Sequence, residues 1–164
     1  MNPTKHTLVA LVADRPGVLN RVASLFRRRG FNIESIAVGH TEQEGVSRMT
    51  IVVNGDTATV EQVRKQLDKV LEVIKVSDIT KEGMVDRELA LIKVKTTPAT
   101  RSEIMQIVDI FRANIVDVAA DSLIVEVTGD EDKIDSLFNL LRDFGIKEIA
   151  RTGRLAMTRG IASA

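Results

Sequence analysis

The sequence predicts an α+β protein made of two ferredoxin-like β-α-β-β-α-β units in tandem. Three observations lead there. Short β-prone runs alternate with segments of helical periodicity in the order strand, helix, strand, strand, helix, strand. The same order restarts after a charged, glycine-containing stretch, and 164 residues leave room for two small domains. The expected boundaries are 5–80 for the first domain, 81–87 for a linker, 88–158 for the second domain and 159–164 for a tail.

Thr7 to Ala13 (TLVALVA) is long enough for a first strand. Asp14-Arg15-Pro16-Gly17 then breaks it, with Asp14 a candidate N-cap and Pro16 suited to a first helical turn. Val18, Leu19, Val22, Leu25 and Phe26 follow at helical spacing. Arg27, Arg28 and Arg29 complement the negative end of that helix, and Gly30 stops it. Phe31 to Val38 and Arg48 to Asn54 are the next strands, joined by a polar loop from His40 to Ser47. Thr59 and Gln62 fit a capping box before Val60, Val63, Leu67 and Val70, and Val73 to Asp78 closes the unit as a fourth strand.

Lys81 to Arg87 (KEGMVDR) reads as the linker. Glu88 to Val94 begins the second unit. Thr100 and Glu103 give another capping signal before Ile104, Ile107, Val108 and Phe111. Asn114 to Ala119 and Ser122 to Thr128 are paired strands. Ile134, Leu137, Phe138 and Leu141 mark a fourth helix ending near Gly145, and Ile146 to Arg151 is the last strand expected. Letter identity between the halves is faint, so the repeat rests on the order of elements. Each sheet would have two helices on one face, leaving the other open unless something covers it.

Composition removes several functions. Lys and Arg number 23, as do Asp and Glu, so no electrostatic case exists for nucleic acid or an anionic membrane. The element order is shared with RNA-recognition modules, but the first and third strands lack the aromatic residues that stack bases. Without cysteine there is no disulfide, thiolate nucleophile or Cys-type zinc site. No apolar run reaches a membrane span and the N-terminus lacks a signal-peptide core, so a cytoplasmic location is expected. The two histidines, His6 and His40, sit in polar segments, and neither G-x-S-x-G, H-E-x-x-H nor a phosphate-binding glycine loop occurs. Catalysis by this chain alone, and a metal site, are not expected.

The strongest functional signal is Asp14 to Leu19 (DRPGVL), between a strand and a helix. The backbone N–H groups of Gly17, Val18 and Leu19 at a helix start can hold a carboxylate, and Asp14 beside them can accept from an ammonium group. That is the polarity of an amino acid zwitterion. The same segment also reads as an ordinary turn, with Asp14 capping the helix and Gly17 serving the backbone. Residues alone do not separate the two.

Asp14 to Leu19 resembles the ligand signature of ACT domains. Arg28 to Ser35 (RRGFNIES) and Ser47 to Ile51 (SRMTI) are similar in order and spacing to the small, regulatory subunit of acetolactate synthase (acetohydroxyacid synthase). Asp86 to Leu89 (DREL), Phe111 to Val118 (FRANIVDV) and Ile149 to Gly153 (IARTG) extend the resemblance from about Lys5 to Arg159. The resemblance implies a non-catalytic chain that pairs through its ACT domains and binds and activates a separate catalytic large subunit. Thiamine diphosphate, Mg and FAD are then expected in that partner and no cofactor in this chain. It implies feedback inhibition by a branched-chain amino acid, valine first, bound where two ACT domains meet. Carried over, Asp14 and Asn32 flank the effector's amino group, Gly17, Val18 and Leu19 offer amides to its carboxylate, and Ile33 and Val38 form the apolar wall. Some family members have Asn at the position of Asp14. The second domain has Thr97-Pro98-Ala99-Thr100 where the first has the glycine turn, which argues against a second site of the same design. The other reading is a free-standing ACT sensor that regulates another partner.

Overall fold

The computed structural model describes residues 4–160; the predicted tail, 159–164, lies outside them from residue 161 onward. The element order is β1 (Thr4–Ala13), α1 (Val18–Arg29), β2 (Ile33–His40), β3 (Val46–Gly55), α2 (Thr57–Asp68), β4 (Val73–Asp78), β5 (Met84–Lys95), α3 (Arg101–Ile110), β6 (Asn114–Val118), β7 (Ser122–Gly129), α4 (Glu131–Arg142), β8 (Ile146–Arg151) and β9 (Leu155–Thr158). The β-α-β-β-α-β order occurs twice, and both sheets are antiparallel: the ferredoxin-like α+β class expected. No helix among the described residues is long and apolar enough to cross a membrane.

The chain divides into two compact units. One runs through Val85 and takes in the segment from Gly153 onward; the other is Asp86–Thr152. Two features differ from the sequence-based boundaries. The stretch expected as a linker is largely strand, since β5 begins at Met84. Gly153 to Thr158, assigned to the second domain on sequence, clusters with the first unit and contains a further strand, β9.

In the first unit the strand order is β2-β3-β1-β4. Strand alternation sends Leu8, Ala10 and Val12 of β1 and Met49, Ile51 and Val53 of β3 into one core with Val22, Leu25 and Phe26 of α1 and Val60, Val63 and Leu67 of α2. The α2 N-cap is Asp56, whose carboxylate accepts from the Thr59 N–H at 2.7 Å; the expected Thr59–Gln62 box does not start this helix. The opposite sheet face is buried too. Val9 packs with Ile79, Ala156 and Met84, and Thr7, Thr50 and Val52 are nearly inaccessible. The cover is β9, which pairs with β5, with the residues leading into it, Ile79 after β4 and Met84 at the start of β5.

The second unit has order β6-β7-β5-β8. Ala90, Ile92 and Val94 pack with Leu123, Val125, Val127, Ile104, Val108, Ile134, Leu137 and Leu141. The repeat extends to irregularities that faint letter identity hides. The first strand of each unit breaks register against the last, at Leu11/Val12 and at Lys93/Val94. The second strand breaks register near its start, between Ile33 and Ser35 and between Ile115 and Asp117. Each first helix ends in the same left-handed turn. Phe31 N–H donates to Phe26 O across Gly30 (φ 69), and Ala113 N–H donates to Val108 O across Arg112 (φ 54).

Glycine takes that turn freely and arginine does not. Nothing lies within 4 Å of a Cβ built on Gly30. Gly30→Ala is therefore expected to cost about 1 kcal/mol through backbone strain alone, while Arg112→Gly is neutral or stabilising by up to about 1 kcal/mol. Urea unfolding of the two variants checks the opposed signs.

At the start of β1, buried His6 places Nδ1 3.2 Å from Asp78 Oδ2, and the Thr80 N–H donates to Asp78 Oδ1 at 3.0 Å. Burial pushes the Asp78 carboxyl up, but donors from Thr80 and His6 outweigh it and hold the group below its ordinary value. Such a carboxylate contributes stability that is full above its unfolded pKa of about 3.9 and is lost as pH falls through the lower folded value. Asp78→Asn is expected to lower Tm at about pH 7 and to lower it less at about pH 3. An equal drop at both would show that the charge does not matter.

Candidate functional site

The first unit's strand-to-helix turn is built around Gly17. β1 ends at Ala13, and the Asp14 N–H donates to Gly45 O at 2.9 Å. Gly17, with φ 87, is the N-cap, and no side chain caps the helix. Asp14 is thus not the N-cap, and Pro16 precedes the helix rather than forming its first turn. The reason lies in the left-handed turn: it reverses the chain at Gly17, and Asp14 is still held to the β3 approach.

The turn leaves donors available. Arg21 N–H returns to Gly17 O at 3.0 Å, and Val18 N–H reaches Arg15 O at a long 3.4 Å. Among the described residues no acceptor is bonded to the N–H of Gly17 or Leu19. The space above Gly17 is open, with nothing within 4 Å of a built Cβ. Val18 points its side chain into the core, so only its amide faces the site, whereas Leu19 is 48% exposed. The turn therefore presents orphan helix amides and a positive dipole end to solvent.

The Asp14 carboxylate stands beside this cluster with Oδ2 3.4 Å from His40 Nδ1. Sequence reasoning put His40 in a loop, yet it is the last residue of β2. Its neighbourhood follows from register, because Gly39 and His40 pair with Arg48 and Ser47, which pair in turn with Leu11 and Val12. Val38, paired with Met49 and 48% exposed, lies near the same end.

Asn32 and Ile33 are elsewhere. Ile33 pairs with Val53, opposite His6, at the start of β2. From Ile33 to His40 at about 3.3 Å per residue is about 23 Å. One copy of the chain thus groups Asp14, Gly17, Val18, Leu19 and Val38 at one end of the sheet and leaves Asn32 and Ile33 at the other.

The second unit differs at the equivalent turn. Thr97 N–H donates to Thr100 Oγ1 at 2.9 Å and Thr100 N–H to Thr97 Oγ1 at 3.2 Å. Those hydroxyls already occupy two donors ahead of α3, which the glycine turn leaves open ahead of α1. Among the described residues no three His, Asp or Glu side chains converge where they could hold a metal ion.

Two family models match the chain in tandem. Residues 8–75 match the model of the AHAS small subunit-like ACT domain, and residues 87–160 match that of the small subunit of acetolactate synthase. A probable acetolactate synthase small subunit of Archaeoglobus fulgidus is 62% identical over 156 residues, spanning 95% of this chain and 98% of that one. The acetolactate synthase small subunit of Bacillus subtilis is 54% identical over 157 residues, spanning 95% and 91%. The crystal structure of the acetolactate synthase small subunit from Thermotoga maritima superposes with a TM-score of 0.89 at 45% identity, spanning 97% of this chain and 99% of that one. Both halves are matched in order and these relatives align along nearly their whole length, so the chain belongs to the acetolactate synthase small subunits.

Proposed function

We propose that this chain is the regulatory subunit of an acetolactate synthase and binds a branched-chain amino acid, valine first, at an edge shared by two copies. In that role it activates a thiamine-diphosphate-dependent catalytic subunit, imposes feedback inhibition on it and carries no catalysis itself. The observation that carries the reading is the open turn at Gly17, with unpaired amides on one side and the Asp14 carboxylate on the other. An amino acid's carboxylate suits the amides and its ammonium suits Asp14. Relatives matched over nearly their full length as synthase small subunits favour this over a free-standing sensor.

A second copy accounts for Asn32 and Ile33. β2 is an edge strand, and a two-fold axis between Ile36 and Ala37 would pair two copies of it antiparallel. Ile33 of one copy then opposes His40 of the other, and His40 lies against Asp14. Asn32 and Ile33 of the second copy thereby complete the amino-group and side-chain ends of the site. Each dimer holds two such sites.

Gly17→Asp sets an anion where the effector carboxylate belongs. Losing one charge-assisted contact, about 1.5–3 kcal/mol, should weaken valine binding roughly 10- to 150-fold by calorimetry. Gly17→Ala is the control for backbone strain, since its Cβ meets open space. Equal affinity in Gly17→Asp and Gly17→Ala would sink this placement of the carboxylate.

Sharing between copies has its own test. Gly17→Asp and Asn32→Ala homodimers should each bind poorly. Mixed dimers should regain one good site, because one interface end then keeps both native residues. No recovery in a mixture shown to contain heterodimers would mean that the two residues act from the same copy.

A further inference from the structure

We propose that the segment Gly153–Thr158 is a clamp on the strand β2 that reports effector occupancy to the second unit. The inference rests on the effector reading above and adds a route for its signal.

The segment crosses the sheet face of the first unit that is turned away from α1 and α2, touching three strands. Gly153 sits directly against β2: a Cβ there would lie 2.9 Å from Ile36 O and 3.0 Å from its carbonyl carbon. The Arg154 N–H points at Ser35 Oγ on β2 at 3.4 Å, and its guanidinium donates to Thr7 Oγ1 on β1 at 3.0 Å. From β3 the Arg48 guanidinium donates to Ala156 O at 2.7 Å. Burial lowers the pKa of that arginine, against a smaller opposing pull from Glu42, as expected of a cation partly covered by the segment. Ala156 and Thr158 point inward, while Leu155 and Met157 are exposed.

The segment contacts the effector edge from behind. Ser35 and Ile36 lie between Ile33 and Val38, the two residues assigned to the effector's apolar wall. The residue before the clamp, Thr152, is bonded within the second unit: its N–H donates to Leu89 O at 2.9 Å, and its hydroxyl accepts from the Leu89 N–H at 3.0 Å. Beyond Gly153, β9 pairs with β5, whose first residues Met84 and Val85 belong to the first unit and whose Leu89 holds Thr152. The inward side chains of β9 are an alanine and a threonine, and its hold on β2 is one glycine contact and one long hydrogen bond of 3.4 Å, a seat that can respond to a ligand. A seated effector that shifts β2 changes how well Gly153 fits Ile36, and the covalent join carries that change onward.

Gly153→Ala tests the clamp cleanly. Gly153 is not among the left-handed glycines, so only the contact with Ile36 opposes the added methyl. The variant is assayed as full chain reconstituted with its cognate catalytic subunit. Valine should bind within about 3-fold of wild type, yet inhibit the holoenzyme at least about 10-fold less potently. Arg154→Gln, which loses the Thr7 contact, should move inhibition the same way. Should Gly153→Ala fail to fold, hydrogen exchange of the wild-type chain decides instead. Saturating valine should change exchange of the Leu155–Thr158 amides by about fivefold or more. Unchanged exchange there with valine bound, or unaltered inhibition of a folded Gly153→Ala holoenzyme, overturns the clamp and leaves the effector site standing. If calorimetry finds no branched-chain amino acid bound by the wild-type chain or holoenzyme, the effector reading itself fails and the clamp fails with it.

Discussion

A four-stranded sheet with both helices on one side exposes its other face unless some further element covers it. In the first unit that face carries Thr7, Val9, Thr50 and Val52, all nearly inaccessible. The cover is a short extended segment whose side chains alternate inward and outward, fastened by two arginines. Much follows from that covering. It closes the sheet face, and it sets Gly153 against the backbone of the edge strand β2.

The two units share a plan down to their bulges and the left-handed turn after the first helix, yet they use it differently. Where the first unit opens α1 with a bare glycine turn, the second opens α3 with two threonines that satisfy each other's amides. A helix start that keeps its donors for itself has none to offer a ligand. The glycine at position 30 and the arginine at position 112 make the same point about the backbone: topology demands the left-handed residue, and the side chain there is free to vary at a modest energetic cost.

Much of this architecture is legible in the sequence because it is set by periodicity. The alternation of Leu8, Ala10 and Val12 and the helical spacing of Val22, Leu25 and Phe26 name the core directly. The turn at Asp14 to Leu19 was visible for the same reason, as a break of known chemistry between two periodic runs. What stayed hidden depends on distant pairing. Asp14 has the composition of an N-cap, but the left-handed Gly17 takes that place. Leu155 to Thr158 is too short for its pattern to identify which sheet it covers. Asn32 follows α1 closely in sequence, and only the direction of β2 reveals that it stands at the far end from Gly17. His40 could have been found by extending the strand two residues, since nothing in Gly39-His40 forbids pairing.

The return of Gly153–Thr158 to the first sheet also orders the life of the chain. Thr7 and Arg154, which bond to each other, are 147 residues apart. The intervening chain includes the whole of the second unit, so the face around Val9 stays unsealed until that unit has been synthesised. Emerging from the ribosome, the first unit is a half-dressed sheet with Thr50 and Val52 open to solvent or to a chaperone. A loop closure of this length is slow relative to local helix and hairpin formation. A fragment cut after β4 is, for the same reason, not a small version of the first unit. It lacks the last-made piece of its own fold.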